Sequence, residues 1–235
     1  MSKSTLLAAL GGGVVGAGLT AAIILAAAPT MMGERLVRQS LVEHPDILVE
    51  ASDALRLAEM KPILDQNRDA METAFASSAM GASAEDAEVV MVEFYDYACG
   101  YCRQAKPDIE KLIEENPGLR VVFRELPVLG PDSVIAARAS LAASKAGKFD
   151  QFHEAMWAAG RPSEASITEA LEAVDMRLED IADPAFEAEI NQNFELANAL
   201  GASGTPLFVV GDTIIPSAEG YSAYKAAIEK AREDA

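Results

Sequence analysis

Apolar residues recur along this chain at three different spacings. From Ser4 to Met32 they run without an intervening charge, from Leu6-Leu7-Ala8-Ala9-Leu10 to Ile23-Ile24-Leu25-Ala26-Ala27-Ala28. A bilayer-spanning helix needs about 20 mostly apolar residues. Residues 1–32 therefore read as a signal anchor, with residues 5–28 in the inner membrane, although Gly11, Gly12, Gly13, Gly16 and Gly18 weaken such a helix. The alternative is a cleaved signal peptide. Ala26 and Ala28 suit the cleavage positions, but Pro29 would follow the cut. Lys3 is offset by Arg35 and Arg38, so charge asymmetry sets little orientation. Either reading places the remainder outside the cytoplasm, in the periplasm, where disulfides persist.

The second spacing is helical and covers residues 33–76. Val37, Leu41, His44, Leu48, Ala51, Leu55 and Ala58 alternate steps of four and three and form one stripe. Pro45 and Pro62 interrupt it. Such a segment either docks on the main domain or, over residues 34–75, joins copies of the chain as a homo-oligomer. Residues 77–87 begin Ser77-Ser78-Ala79-Met80-Gly81-Ala82-Ser83-Ala84, small and polar, and read as a linker.

The third spacing is the dense apolar run of a buried strand, from Glu88 to Tyr95 and again from Leu119 to Glu125. Between them a helix is predicted from Cys99 to Asn116, closed by Pro117-Gly118. Strand, crossover helix and strand make a βαβ unit with a parallel pair. Residues from about 132 to 200 are helical in pattern. Leu207 to Val210 and Thr213 to Ile215 are short β runs joined at Gly211-Asp212, a hairpin signal. A last helix is predicted from Ala218 to Arg232. The fold class is α/β, with residues 88–235 as one domain carrying a helical insertion at about 132–200.

Charge narrows the partners. With 37 acidic against 19 basic residues the net charge is −18, which repels phosphate backbones and argues against nucleic acid. There are two cysteines with two residues between them, too few and too close to staple a fold. The pair is a reactive site or half of a metal site. A zinc site would need two more ligands, and the histidines, His44 and His153, lie far off in sequence. His44 reads as a helix-face residue and His153 as a packed or surface helix residue. No metal or other cofactor is expected.

Cys99-Gly100-Tyr101-Cys102 falls where a buried strand turns into a helix. Residues three apart in a first helical turn share a side and can close a small ring. The first thiol also faces unpaired N–H groups and the positive end of the helix dipole, both of which favour the nucleophilic thiolate. Cys99 is thus the expected attacker and Cys102 the shielded resolving thiol. Gly100 and Tyr101 flank the sulfur and should tune its acidity.

The run Phe94-Tyr95-Asp96-Tyr97-Ala98-Cys99-Gly100-Tyr101-Cys102, with Thr205-Pro206 late in the chain and helices between, resembles the DsbA family. The resemblance covers about Glu88 to Ala235 and implies a thioredoxin fold with an inserted helical domain. It implies that Thr205-Pro206 is a cis-proline dipeptide facing the cysteines. It also implies that Glu93 is a buried acid beneath the pair, able to take the proton of Cys102. Strand alternation alone leaves an exposed carboxylate at Glu93 as an alternative. Leu41-Val42-Glu43-His44-Pro45-Asp46-Ile47-Leu48-Val49-Glu50-Ala51 and Leu126-Pro127-Val128-Leu129-Gly130-Pro131-Asp132-Ser133 are similar to segments of ScsC-type proteins. Ser217 departs from the glycine common at that hairpin end.

The expected function is thiol–disulfide exchange with unfolded or misoxidised exported proteins, as isomerase, reductase or oxidase, served by a membrane redox partner. The competing class is a periplasmic binding protein, a copper(I) sequestrant or a holdase. Thr205-Pro206 favours the enzyme, since metal capture has no use for it.

Overall fold

The computed structural model describes residue 33 and residues 36–234. The anchor or signal segment over 1–32 lies outside them. Among the described residues no helix is long and apolar enough to cross a membrane.

The chain divides into two units, Met1–Arg56 and Leu57–Ala235. In the first, the described residues are helical over 36–43 and again from Asp46, with Pro45 at the break. Leu36, Val37, Val42, Leu48, Val49 and Leu55 are all exposed here. Helix α1 is Asp46–Glu72, and Pro62 lies inside it. The predicted interruption at Pro62 is therefore corrected. An interior proline costs about 3 kcal/mol, and the turns that follow Pro62 offset it by burying Leu64 and Met71 completely.

The second unit is built on a five-stranded sheet in the order β1-β3-β2-β4-β5. Strands β2 (Val89–Tyr95) and β3 (Leu119–Glu125) are its parallel centre, joined by helix α2 (Gly100–Glu115). Apolar residues at both odd and even positions of the two strands fit a sheet covered on both faces. Met91 and Tyr95 pack on one side with α2 and the later helices, whereas Val92 and Phe94 pack on the other with Leu64 and Met71 of α1. The predicted helical stretch is α3 (Pro131–Lys145), α4 (Phe149–Ala159), α5 (Glu164–Glu172), a 3-10 turn (Leu178–Ala182) and α6 (Pro184–Ala199). The hairpin β4 (Leu207–Val210) and β5 (Thr213–Ile215) returns antiparallel to β2, and α7 (Tyr221–Glu233) ends the fold.

The stretch read as linker, residues 77–87, holds β1 (Ala79–Gly81), antiparallel to β3. Its small residues conceal a strand because a close approach needs them. Gly81 has φ +86, and a Cβ there would collide with the Leu119 carbonyl. Ser77 and Ser78 bond to Ser144 of α3. This strand belongs to the second compact unit, Leu57–Ala235.

Arg124 ties α1 to the sheet. It is 3 % exposed. Its guanidinium donates to the carbonyls of Ala70, Met71 and Thr73, at the helix end where carbonyls lack N–H partners. It also donates to Glu189 at 2.8 Å and Asn193 at 3.0 Å on α6.

Candidate functional site

β2 delivers the chain to Asp96, and Cys99 becomes the N-cap of α2 with extended φ −80 and ψ 120. Its backbone N–H donates to Asp96 O at 2.9 Å, and its carbonyl accepts from Arg103 N at 3.2 Å. The helix start thus leaves its first N–H groups facing the sulfur. Both cysteines are free thiols. The Cys99 thiol lies 3.1 Å from Thr205 O, and the Thr205–Pro206 peptide is cis.

These surroundings divide the protons unequally. A hydrogen bond from the Cys102 thiol, helped by Thr205 and by the N–H groups of Cys102 and Tyr101, lowers the Cys99 pKa to about 5 against the opposing effect of burial. The Thr205 hydroxyl is buried and is not engaged by another protein group. Burial, together with the bond it gives Cys99 and the nearby Glu93, pushes Cys102 far up. Cys102 is 1 % exposed. Cys99 is itself mostly covered, but it lines a groove of about 590 Å³, with Gly100 and the exposed Tyr101 alongside.

Glu93 is 4 % exposed, which sets aside an exposed strand carboxylate; β2 has no solvent face to offer it. Burial and the charge of Cys99 raise its pKa to about 8. It shares with Cys102, Lys106, His153 and Trp157 a cavity of about 10 Å³, room for roughly one water. The fold thus brings Cys99, Cys102, Thr205, Pro206 and Glu93 into one neighbourhood. His44 belongs to the other unit. Among the described residues no group of three or more His, Cys, Asp or Glu side chains is placed to hold a metal ion.

Sequence reasoning missed a polar chain beside the pair. The Trp157 indole donates to His153 Nε2 at 2.9 Å, so the neutral ring carries its proton on Nδ1 and donates to the Tyr97 hydroxyl, also at 2.9 Å. Tyr97 donates to Ser140 at 3.2 Å, and Ser140 to Glu125 at 2.7 Å. Burial holds His153 neutral, lowering its pKa to about 3, and raises Glu125 to about 7. Arg103 stacks 4.9 Å from the Trp157 ring and donates to the carbonyls of Trp157 and Gly160. Asp96 was missed as well, although it stands three residues before Cys99. The one available signal was charged or polar residues placed inside otherwise apolar runs.

The acidity of Cys99 gives a direct test. Iodoacetamide should alkylate Cys99 of the reduced protein with a midpoint near pH 5, while Cys102 stays unlabelled to pH 9. The linkage has the sign of a depressed acid. The thiolate stabilises the folded reduced form in full above the ordinary thiol value of 9.0, and that contribution is lost as pH falls toward 5. Equal labelling of both cysteines at pH 6, read by peptide mass, would overturn the assignment.

Residues 90–229 match the DSBA-like thioredoxin domain family. Among solved structures the chain is similar to a thioredoxin-like oxidoreductase from Silicibacter pomeroyi, with 36% identity and a TM-score of 0.67 over 72% of this chain and 99% of that one. It is similar to ScsC of Proteus mirabilis in a transitional conformation, with 32% identity and a TM-score of 0.67 over 89% of this chain and 99% of that one. Among curated proteins, 134 residues are 34% identical to the Na(+)/H(+) antiporter NhaA 3 of Salinispora tropica, covering 53% of this chain and 20% of the antiporter. The chain spans about a fifth of the length of the curated relatives it matches.

Proposed function

Since the chain belongs to the DSBA-like thioredoxin domain family, we propose that it is a thiol–disulfide oxidoreductase acting on unfolded or misoxidised exported proteins through Cys99 and Cys102. The observation that carries this reading is the placing of the two sulfurs, Cys99 at a helix start 3.1 Å from Thr205 O of a cis Thr205–Pro206 peptide and Cys102 buried one turn further on. The Cys99 thiolate attacks one sulfur of a substrate disulfide. That S–S bond breaks, a mixed disulfide forms, and the released substrate thiolate takes a proton. With the Cys99 charge gone into the mixed disulfide, one of the two causes that hold Glu93 protonated is removed, so Glu93 can take the proton of Cys102, which attacks the Cys99 sulfur. The substrate leaves with two thiols, and two electrons have passed from the cysteine pair. In isomerisation a second substrate thiolate attacks in place of Cys102, and the pair ends reduced as it began.

We favour isomerase over oxidase, in the periplasm, with a membrane redox partner keeping the pair reduced. The support is the first unit. Its exposed Leu36, Val37, Val42, Leu48, Val49 and Leu55 are apolar surface that copies of the chain can cover together. A homo-oligomer would hold several pairs over one substrate and raise their effective concentration. The oligomerising part is narrowed to residues before Leu57, because Leu64 and Met71 are already buried against the sheet.

The test compares fragments starting at Glu34 and at Leu57. Both should reduce insulin. Only the longer should scatter light as an oligomer, and it should refold scrambled ribonuclease about tenfold faster. Failure of both to reduce insulin would remove the enzyme reading and leave a copper(I) or holdase role. Two monomers of equal isomerase activity would remove the oligomer.

A further inference from the structure

Glu93 must lose a proton before it can take one. It is buried, and burial together with the charge of Cys99 holds it protonated near neutral pH while the pair is reduced. That proton has to leave before Cys102 can give up its own. β2 offers no way out, because residues on both of its faces are covered. Around Glu93 stand Cys99, Cys102, Tyr97 and, from α7, Tyr224. Burial keeps both phenols protonated. There remains the cavity of about 10 Å³ that Glu93 shares with Cys102, walled by residues of α2 and α4. His153 and Trp157 line it but take no proton. Both ring nitrogens of His153 are engaged, by Trp157 and by Tyr97, and burial lowers its pKa to about 3. Lys106, Glu110 and Glu154 complete the polar lining. Lys106 bonds Glu110 one turn further along α2 and, at 2.7 Å, Glu154 of α4. Burial opposes its charge, but the two carboxylates outweigh burial and raise its pKa. The ammonium is thus a donor that fixes two acceptors. The Glu110 and Glu154 side chains are 43% and 57% exposed, so each belongs both to the cavity wall and to the surface. A water in such a space needs two to four polar partners, and Glu93, Lys106 and the carboxylates supply them.

We propose that this cavity holds the water through which Glu93 discharges its proton, that Glu110 and Glu154 receive the proton at the mouth, and that Lys106 is the positioning residue that keeps them there. The inference rests on the exchange reaction proposed above and supplies the step between its two halves. Once the mixed disulfide has formed, the Glu93 carboxyl gives its proton to the water. The water passes one on to a mouth carboxylate and is unchanged at the end, and the carboxylate releases the proton to solvent. Glu93, now a carboxylate, takes the proton of Cys102. The Cys102 thiolate attacks the Cys99 sulfur, the bond to the substrate breaks, and the substrate leaves as a thiolate. Lys106, Glu110 and Glu154 touch no sulfur and act through the water alone.

The test mixes the reduced protein with an aromatic disulfide whose thiolate is coloured and follows its release by stopped flow. The first phase reports attack by Cys99, and the second reports resolution by Cys102. Glu110→Gln with Glu154→Gln should slow the second phase about tenfold near neutral pH and leave the first in place as an internal reference. Both side chains are at the surface, so this variant should fold. Added acetate or imidazole should restore the second phase in proportion to its concentration, and the solvent deuterium isotope effect on that phase should grow. Lys106→Met should show the same slowing and the same rescue, whereas Lys106→Arg, which can still bridge the two carboxylates, should not. In a Glu93→Gln background the carboxylate changes should slow nothing further, because no proton waits there to leave. A second phase as fast as that of the wild type in the double variant would overturn the proposal. So would a slowed phase that no buffer base restores, which marks lost packing, and so would equal slowing in the Glu93→Gln background. Should Glu93→Gln fail to fold, the buffer rescue decides alone. Failure of the underlying exchange reading looks different: the wild-type protein would release no coloured thiolate and reduce no insulin.

Discussion

Cys99→Ser should abolish insulin reduction, by a factor of about 10³ or more, because a serine hydroxyl at the same helix start stays protonated and cannot form the mixed disulfide. Cys102→Ser should fail in another way. Its Cys99 still attacks, but the buried residue at 102 can no longer resolve, so the enzyme should accumulate as a covalent adduct with its substrate. Nonreducing electrophoresis and intact mass would reveal the adduct, and an insulin turbidity assay would give the rates. The prediction is asymmetric by design. The helix start, Thr205 and the Cys102 thiol all favour the Cys99 thiolate, while burial disfavours ionisation of Cys102. If Cys99→Ser formed the adduct and Cys102→Ser did not, the two roles would be reversed and the mechanism above would fall.

The second large effect concerns stability. Arg124→Met should destabilise the fold by about 3–5 kcal/mol, the scale for removing one partner of a buried charged pair. Methionine fills much of the same space, so the loss is not a cavity. It comes from Glu189, left without its cation, and from the carbonyls of Ala70, Met71 and Thr73, left without donors. Urea denaturation followed by circular dichroism would measure it. Glu189→Gln should cost less, because Arg124 keeps its three carbonyls and Asn193. A loss under about 1 kcal/mol in Arg124→Met would mean that water replaces the arginine at the end of α1. The same clamp explains why deletions should stop at Leu57: a cut near Ala84 removes the carbonyls that Arg124 caps and strips Leu64 and Met71 from the sheet.

The elements most legible in the sequence were those whose neighbours dictate them. The runs Val89–Tyr95 and Leu119–Glu125 carry apolar residues at positions of both parities because both sheet faces are covered. The cysteine pair was legible because its spacing and its place at a strand-to-helix turn are local facts. β1 was not legible. Ala79-Met80-Gly81 lacks the β-branched residues that mark strands, and its identity comes from the Leu119 carbonyl, far away in sequence. Pro62 misled for a related reason. A local cost was set against a tertiary gain from Leu64 and Met71 that only the packed sheet reveals. Asp96 and the chain from Trp157 to Glu125 escaped because their partners are backbone groups and side chains brought together by the fold.

The placing of β4 imposes an order on the making of the protein. Val92 of β2 pairs with Val122 on one side and with Val209 on the other. The first neighbour follows after one helix, but the second arrives only after the whole helical excursion from Pro131 to Ala199 has been made. A chain synthesised from its N-terminus therefore carries β2 with one hydrogen-bonding edge open until Leu207 and the residues after it are made. That edge runs through Met91, Val92, Glu93 and Phe94, a short apolar sequence able to pair with the same edge of another nascent copy. Contacts this distant in sequence also close slowly, since the intervening loop entropy is lost before any pairing is gained. Until Leu207–Val210 has been made and can seat against β2, that edge has no partner in the sheet, and the growing chain is at its most prone to wrong pairing.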